Sequence, residues 1–227
     1  MKARARWAET HLHHRFDDPS LLELALTHRS ASKLNNERLE FLGDAFLNFT
    51  IAKRLYALRP EDAEGDLSRA RASLVNQATL ADIARAIGVD SELVLGRGEL
   101  RSGGAQRAAV LADALEALIG AVLLDGGNAP AEKLIDELYA ERFRHLPESA
   151  DLKDPKTRLQ EWLQGRGLTL PAYTVDSVRG REHEQVFTVV CEVEQKDART
   201  IGRGRSRRLA EQEAAAAMLA ELTRDGE

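Results

Sequence analysis

The apolar residues between positions 19 and about 146 recur at three- and four-residue intervals, and short polar or glycine-containing stretches interrupt them. This spacing places apolar side chains along one face of successive α-helices. The interruptions at residues 59–62 and 126–128 are typical of connections between helices. This part of the chain is therefore predicted to fold as an all-α bundle.

The helical periodicity ends in a polar run at residues 147–154, and Asp154-Pro155 then suits a helix N-cap followed by proline at the first helical position. Beyond it the pattern predicts a helix, three strands and a final helix that Ser206 caps. These elements are expected at residues 157–164, 171–179, 186–193, 199–202 and 207–222. The chain is thus predicted to have two domains, an all-α domain over residues 1–152 and a small α+β domain of order α-β-β-β-α over residues 153–227.

Cysteine usage and hydropathy indicate the compartment. Cys191 is the single cysteine, so it cannot form an internal disulfide, which fits a reducing environment. The first thirty residues lack the apolar stretch of a signal peptide, and no run of eighteen apolar residues is present. We expect a cytoplasmic protein with no membrane partner.

The formal net charge of −5 argues at first sight against a nucleic-acid partner. However, residues 1–154 contain 20 Lys and Arg against 25 Asp and Glu, whereas residues 155–227 contain 12 of each. Five arginines fall within residues 199–208, which contain no acid. The second domain is therefore expected to present a local cationic surface, either for phosphate binding or as an exposed patch that favours solubility.

Acidic residues form a stripe on each of two predicted helices. Glu37, Glu40 and Asp44 share one helix face, and Asp113 and Glu116 lie one turn apart on a second helix. If the apolar faces of the two helices pack into one core, these carboxylates could converge at its rim.

An acidic stripe is usually the solvated side of an amphipathic helix, and that interpretation stays open. Residues 111–124 nevertheless contain no other charge, and an acid pair in so apolar a helix is costly unless something binds it. Carboxylates that converge without His or Cys suit Mg²⁺ or Mn²⁺. Such an ion would activate water and neutralise charge on a phosphodiester.

Residues 36–45 (NERLEFLGDA) and 111–120 (LADALEALIG) resemble the two catalytic helices of bacterial ribonuclease III. Further stretches of the chain resemble the same family, and only about the first fifteen residues have no clear counterpart. These stretches are residues 27–30, 64–69, 74–76, 98–100 and 102–104.

This resemblance implies an all-α endonuclease domain that cuts double-stranded RNA with Mg²⁺, for which Mn²⁺ would substitute. It implies that the metal is held by Glu40, Asp44, Asp113 and Glu116. It also implies a catalytic role for Asp44 and Glu116, assisted by Glu37 and Glu64. The expected products carry 5′-phosphate and 3′-hydroxyl ends, and the expected substrates are ribosomal RNA precursors and structured messenger RNAs.

The family also works as a homodimer through its nuclease domain. Phe41 matches a position near that subunit interface, although plain core packing is an equally good interpretation of an aromatic residue there.

The C-terminal domain resembles the double-stranded-RNA-binding domain in the pattern GRGRSRRLAE at residues 202–211 and in the spacing of His183 and Phe187. Such domains contact 2′-hydroxyls and phosphates and recognise helical shape. Glu211 stands where some of these domains have lysine, which would weaken this one. The resemblance implies RNA contacts by Thr157, Gln160, Glu161, His183, Ser206, Arg207 and Arg208.

Three functions therefore remain in view. The first is the nuclease, the second is a non-cleaving RNA-binding relative, and the third is an acidic helical interaction protein that binds no metal. The presence of all four expected metal ligands favours the first over the second, and the third leaves the basic C-terminal domain unexplained.

Overall fold

The computed structural model of the chain describes residues 2–148, 153–181 and 184–224. The chain divides into two compact units near residues 149 and 150. The domain boundary predicted between residues 152 and 153 adjoins residues 149–152, which lie outside the described residues, and it stays a prediction. Each unit is described by itself.

The first unit is helical, as predicted. Its helices are α1 (Lys2–His11), α2 (Pro19–Ala25), α3 (Glu37–Leu58), α4 (Glu64–Leu74), α5 (Gln77–Ala86), α6 (Val89–Glu92), α7 (Arg97–Arg101), α8 (Ala108–Gly126) and α9 (Asn128–Arg144). A short 3-10 turn, Gly104–Gln106, precedes α8.

Helix α8 lies at the centre of this unit. It is buried on nearly all sides, which is expected for a helix that is apolar around its whole circumference. Helices α2, α3, α5 and α9 pack against it. Its buried residues are Val110, Leu111, Ala112, Ala114, Leu115, Ala117, Leu118, Ile119, Gly120, Ala121 and Val122.

Two glycines let α3 and α8 approach until their backbones touch. A Cβ atom added to Gly43 of α3 would lie 1.8 Å from the carbonyl oxygen of Glu116, and one added to Gly120 of α8 would lie 2.3 Å from that of Leu39. No side chain larger than hydrogen fits at either position unless the helices separate. The crossing point therefore lies within one helical turn of acidic residues on both helices.

Helix α1 was not predicted, because the apolar periodicity begins only at residue 19. Ala8 is its buried residue, and polar contacts hold the helix to the unit. Trp7 donates its indole N–H to the carbonyl of Ile87 at 2.8 Å, and the Arg4 Nε atom lies 3.2 Å from Glu92. Because these contacts join residues that are far apart in the sequence, the sequence near α1 contains little that predicts this helix.

The second unit contains α10 (Pro155–Gln164), β1 (Ala172–Arg179), β2 (Val186–Val193), β3 (Ala198–Gly204) and α11 (Arg207–Arg224), as predicted. The strands form an antiparallel sheet in the order β1-β2-β3. Both helices pack against one face of this sheet. The core there comprises Leu159, Leu163, Cys191, Val193, Ala214, Ala215, Met218 and Leu222.

Strand β3 extends to residue 204, beyond the predicted end at residue 202. Gly202 is an essential part of the packing, because a Cβ atom there would lie 2.2 Å from the carbonyl oxygen of Ala210 in α11. Gly204 continues the pairing with Phe187 of β2. Glycines that would usually end a strand here let the last helix sit close to the sheet.

Within the described ranges, none of the helices has the length and apolar character needed to cross a membrane.

We expect Gly120→Ala to lower the free energy of unfolding of the helical unit by about 1–3 kcal/mol, because the added methyl group overpacks the contact with the Leu39 carbonyl. Differential scanning calorimetry of the full chain measures the change. Gly98→Ala is the matched control, since a Cβ atom at Gly98 meets nothing within 4 Å. Equal effects of the two substitutions would contradict the close crossing.

Candidate active site and nucleic-acid interface

Three carboxylates from α3 and α8 meet beside the glycine crossing. Glu40, Asp113 and Glu116 each contribute a carboxylate oxygen, and these oxygens all lie within 4.8 Å of one another. All three residues are half-buried. The two acidic stripes seen in the sequence therefore form one cluster.

Burial and mutual repulsion make this cluster unfavourable as isolated anions. Burial raises the pKa of Glu116 to about 8, assisted by the negative charges of Asp44, Asp113 and Glu40. Burial likewise raises the pKa of Glu40, and the charges of Asp113 and Glu37 add to this effect. Perturbed carboxylates of this kind are more frequent at functional sites than on ordinary solvated helix faces.

The donor set fits a hard divalent cation. Among the described residues, Glu40, Asp113 and Glu116 form the group of His, Cys, Asp and Glu side chains close enough to share an ion. Carboxylate oxygens without nitrogen or sulfur ligands suit Mg²⁺ or Mn²⁺. A divalent charge would relieve the repulsion that raises the pKa of Glu116.

The other predicted acids lie outside this close group. Asp44 is exposed and accepts a hydrogen bond from Asn48 Nδ2 at 2.7 Å, although its charge is near enough to raise the pKa of Glu116. Glu37 is exposed, and its charge raises the pKa of Glu40. Glu64 begins α4 and accepts from the Ser68 hydroxyl at 2.7 Å. The roles expected for these three acids stay predictions.

His28 and Arg29, in the loop between α2 and α3, lie near the acids, and sequence reasoning gave them no role. Arg29 Nη1 lies 3.6 Å from Glu37 Oε1. Burial raises the pKa of Asp113, and the charges of His28 and Arg29 oppose that rise. The loop is held in place because the Gly96 N–H donates to the Ser30 hydroxyl at 2.9 Å.

Gly43 and Gly120 were also missed as positioning residues. A signal was present, since glycine in a helix interior costs about 1 kcal/mol relative to alanine and usually needs a packing reason. The identity of the partner backbone could not be read from that signal.

Phe41 follows Glu40 on α3, and its side chain is 79% exposed. Core packing is therefore the wrong interpretation of this residue. Leu34, in the loop before α3, is 80% exposed. Both line a groove whose other apolar residues are Leu21, Leu24, Leu39, Leu42 and Leu124.

The second unit exposes cations at the beginning of α11. Arg207 and Arg208 are exposed, and Ser206 caps the helix by accepting a hydrogen bond from the Leu209 N–H at 3.2 Å. The free N–H groups of a helix N-terminus add to the attraction for phosphate.

Helix α10 contributes further polar groups. Gln160 and Glu161 are exposed, and Glu161 accepts a hydrogen bond from Lys153 at 2.7 Å. Thr157 is half-buried and donates its hydroxyl to Asp154, the N-cap residue of this helix, at 2.6 Å. The seventh predicted contact, His183, lies outside the described residues.

Comparison with known families identifies two regions. Residues 18–143 match a family model described as Ribonuclease-III-like. Residues 155–222 match the model of the double-stranded RNA binding motif. The first region contains the carboxylate cluster, and the second contains the exposed arginines of α11.

Individual proteins show the same similarity. Ribonuclease 3 of Nitrosococcus oceani is 54% identical over 218 residues, which cover 95% of this chain and 94% of that protein. Ribonuclease 3 of Vibrio cholerae is 52% identical, with 92% of each chain covered. The crystal structure of the nuclease domain of ribonuclease III from Campylobacter jejuni is similar, with a TM-score of 0.59 and 41% identity over 61% of this chain and 95% of that domain.

We predict that, without divalent cations, the stability of wild-type protein falls relative to that of Glu116→Gln as pH rises from about 5 to about 8. The pKa of Glu116 is raised to about 8 in the folded protein, so ionisation is easier in the unfolded chain across this interval. The neutral glutamine removes that penalty. Allowing for solvent screening, the difference should reach about 1–3 kcal/mol.

Thermal midpoints of both proteins in buffers across this pH range test the prediction. Adding Mg²⁺ should raise the midpoint of the wild type more than that of the variant, because a cation that binds the folded state stabilises it. A constant difference between the two proteins at all pH values would show that Glu116 does not titrate as an unfavourably buried group.

Proposed function

Since the chain belongs to the ribonuclease III family of endoribonucleases, we propose that it hydrolyses double-stranded RNA at the carboxylate cluster with a bound divalent cation. We propose Mg²⁺ as the cation, with Mn²⁺ able to replace it. The products would carry 5′-phosphate and 3′-hydroxyl ends.

The observation that carries this proposal is the convergence of Glu40, Asp113 and Glu116 within 4.8 Å. Three like charges, half-buried and with raised pKa values, are a poor solution for stability alone. Three carboxylates held on rigid helices are well suited to bind a doubly charged cation.

The acids have two kinds of proposed role, cation binding and assistance in placing the cation or the RNA. A bound divalent cation supplies water activation and charge neutralisation on the phosphodiester. Glu40, Asp113 and Glu116 would hold it, and Asp44, which accepts a hydrogen bond from Asn48, would complete the ligand set. Glu37 and Glu64 help to place the metal or the RNA.

The second unit would grip the duplex. Arg207 and Arg208 offer charge-assisted contacts to phosphates, and Ser206 adds a hydroxyl at the same helix terminus. Thr157, Gln160 and Glu161 of α10 would reach a minor groove, together with His183. Affinity should fall steeply with salt, because phosphate binding releases counterions.

We also propose that the chain forms a homodimer through its nuclease domain. The exposed Phe41 and Leu34 line a groove with five further leucines, and these residues form an apolar surface suited to a second copy. A second structure of the Campylobacter jejuni nuclease domain is described as showing structural flexibility in a region involved in dimer formation of that domain. That domain is 41% identical to this chain.

The proposed substrates are ribosomal RNA precursors and structured messenger RNAs, in the cytoplasm. Processing of both RNA classes is typical of the ribonuclease III family.

We expect Glu116→Gln to abolish cleavage of a long perfect RNA duplex in Mg²⁺ while changing duplex binding by less than about threefold. The substitution removes one metal-ligand charge but leaves the arginines of α11 untouched. Gel analysis of the cleavage products and fluorescence anisotropy of binding test the two effects separately. In the wild type, product ends should be substrates for an exonuclease that requires a 5′-phosphate.

Glu141→Gln is the matched control, because Glu141 is 69% exposed on α9 and the substitution makes the same chemical change outside the cluster. It should cleave as the wild type does. Parallel loss of cleavage and binding in Glu116→Gln would argue against separate catalytic and RNA-binding sites.

We expect Phe41→Glu to shift the protein from dimer to monomer at micromolar concentration, because a charge replaces an aromatic side chain at the apolar surface. Sedimentation equilibrium measures the mass of the assembly. Tyr56→Glu is the control, since Tyr56 is 77% exposed on the same helix but does not line the groove. A wild-type monomer, or a dimer that tolerates Phe41→Glu, would contradict this interface.

A further inference from the structure

Glu211 of α11 is a buried acid that follows the exposed arginines at the beginning of that helix. Its side chain is only 12% exposed, and it lies between Lys156 of α10 and Arg207 at the first position of α11. An acid beside phosphate-binding arginines would ordinarily be expected to weaken RNA binding. The geometry of its contacts indicates a different role.

Each oxygen of the Glu211 carboxylate has its own cationic partner. Arg207 donates its Nε–H to Oε1 at 2.8 Å, and Lys156 donates from Nζ to Oε2 at 2.6 Å. The Lys156 ammonium also lies 4.5 Å from the centre of the Tyr173 ring. The hydrogen bond from Lys156, followed by that from Arg207, keeps the pKa of Glu211 below its ordinary value, so the carboxylate stays ionised.

The contact between Arg207 and Glu211 is made through the Nε atom of the guanidinium group. The guanidinium group is planar, so holding Nε also restricts the plane of the two terminal NH₂ groups. The Arg207 side chain is 63% exposed despite this contact. Its terminal fork therefore remains accessible for the bidentate contact that a phosphate favours.

Lys156 in turn fixes the carboxylate. The ion pair joins α10 to α11, and the aromatic ring of Tyr173 in β1 supports the lysine. Residues from three elements of the second unit thus restrain one arginine at its surface. The free energy that an RNA complex would otherwise lose in ordering this long side chain is reduced.

We propose that Glu211 is a positioning residue for RNA binding, one that orients the guanidinium fork of Arg207 toward a phosphate. This inference rests on the proposed function, because it assumes that Arg207 contacts RNA. Glu211 itself touches no RNA. Its benefit is orientation, and it outweighs the repulsion between its carboxylate and the phosphate.

Two substitutions separate orientation from charge. Glu211→Gln and Glu211→Ala remove the same formal charge, but only glutamine keeps a side-chain oxygen that can accept from Arg207 Nε. The full chain is titrated against a fluorescent 20-base-pair RNA duplex in EDTA, so that no cleavage occurs, at several salt concentrations. We expect Glu211→Ala to bind about two- to tenfold more weakly than Glu211→Gln.

A double-mutant cycle with Arg207→Ala tests whether the effect of Glu211 on RNA affinity acts through Arg207. In that background the difference between the alanine and glutamine variants at position 211 should disappear, because no guanidinium remains to orient. Thermal midpoints and circular dichroism of each variant monitor folding. If Glu211 only stabilised the fold, the alanine and glutamine variants would differ in RNA affinity by the same factor with and without Arg207.

The inference is overturned if both variants at position 211 bind equally well, since charge alone would then act. It is also overturned if their difference persists in the Arg207→Ala background. If Arg207→Ala binds as tightly as the wild type, or the wild type does not bind duplex RNA, the proposed RNA surface itself is wrong. If Arg207→Ala weakens RNA binding but the two variants at position 211 bind equally well, the inference fails while the proposed function still stands.

Discussion

The positions of the acidic side chains in the helical unit depend on the backbone contact between α3 and α8 at Gly43 and Gly120. The two helices touch where neither residue has a side chain, and the carboxylates of Glu40 and Glu116 lie within one turn of the contact. A wider crossing would move the oxygens of these carboxylates apart. The geometry of the site therefore follows from the absence of two Cβ atoms as much as from the presence of acids.

The same arrangement lowers the stability of the fold while it brings together the oxygens that are proposed to bind a cation. Half-buried carboxylates with raised pKa values destabilise the fold in the absence of a cation. The apolar helix α8, buried on nearly all sides, supplies the packing that holds these charges together. A carboxylate cluster carried by a central helix has little freedom to relax, so the positions of its oxygens are closely fixed.

The charged residues of the second unit are distributed differently from those of the first. Its Lys and Arg equal its Asp and Glu in number from residue 155 onward, so composition conceals its cationic surface. The arrangement decides its surface charge: Arg207 and Arg208 lie at the beginning of α11, and the buried Glu211 pairs with Lys156 and Arg207. The unit thus combines long-range attraction for phosphate with local restraint of the side chains that would contact it.

The sequence by itself determined the elements from residue 19 onward, because the spacing of apolar residues depends on local helix and strand geometry. Glu40 was recognisable from the helix face that it shares with other acids, and Asp113 and Glu116 from their apolar surroundings. Helix α1 escaped prediction since its anchors, such as the Ile87 carbonyl, are remote in sequence. Only the tertiary structure decided that Phe41 is exposed, that Asp44 lies outside the closest carboxylate group, and that Glu211 holds Arg207. Distances between residues on different elements depend on how helices cross, and periodicity within one helix contains no information about that crossing.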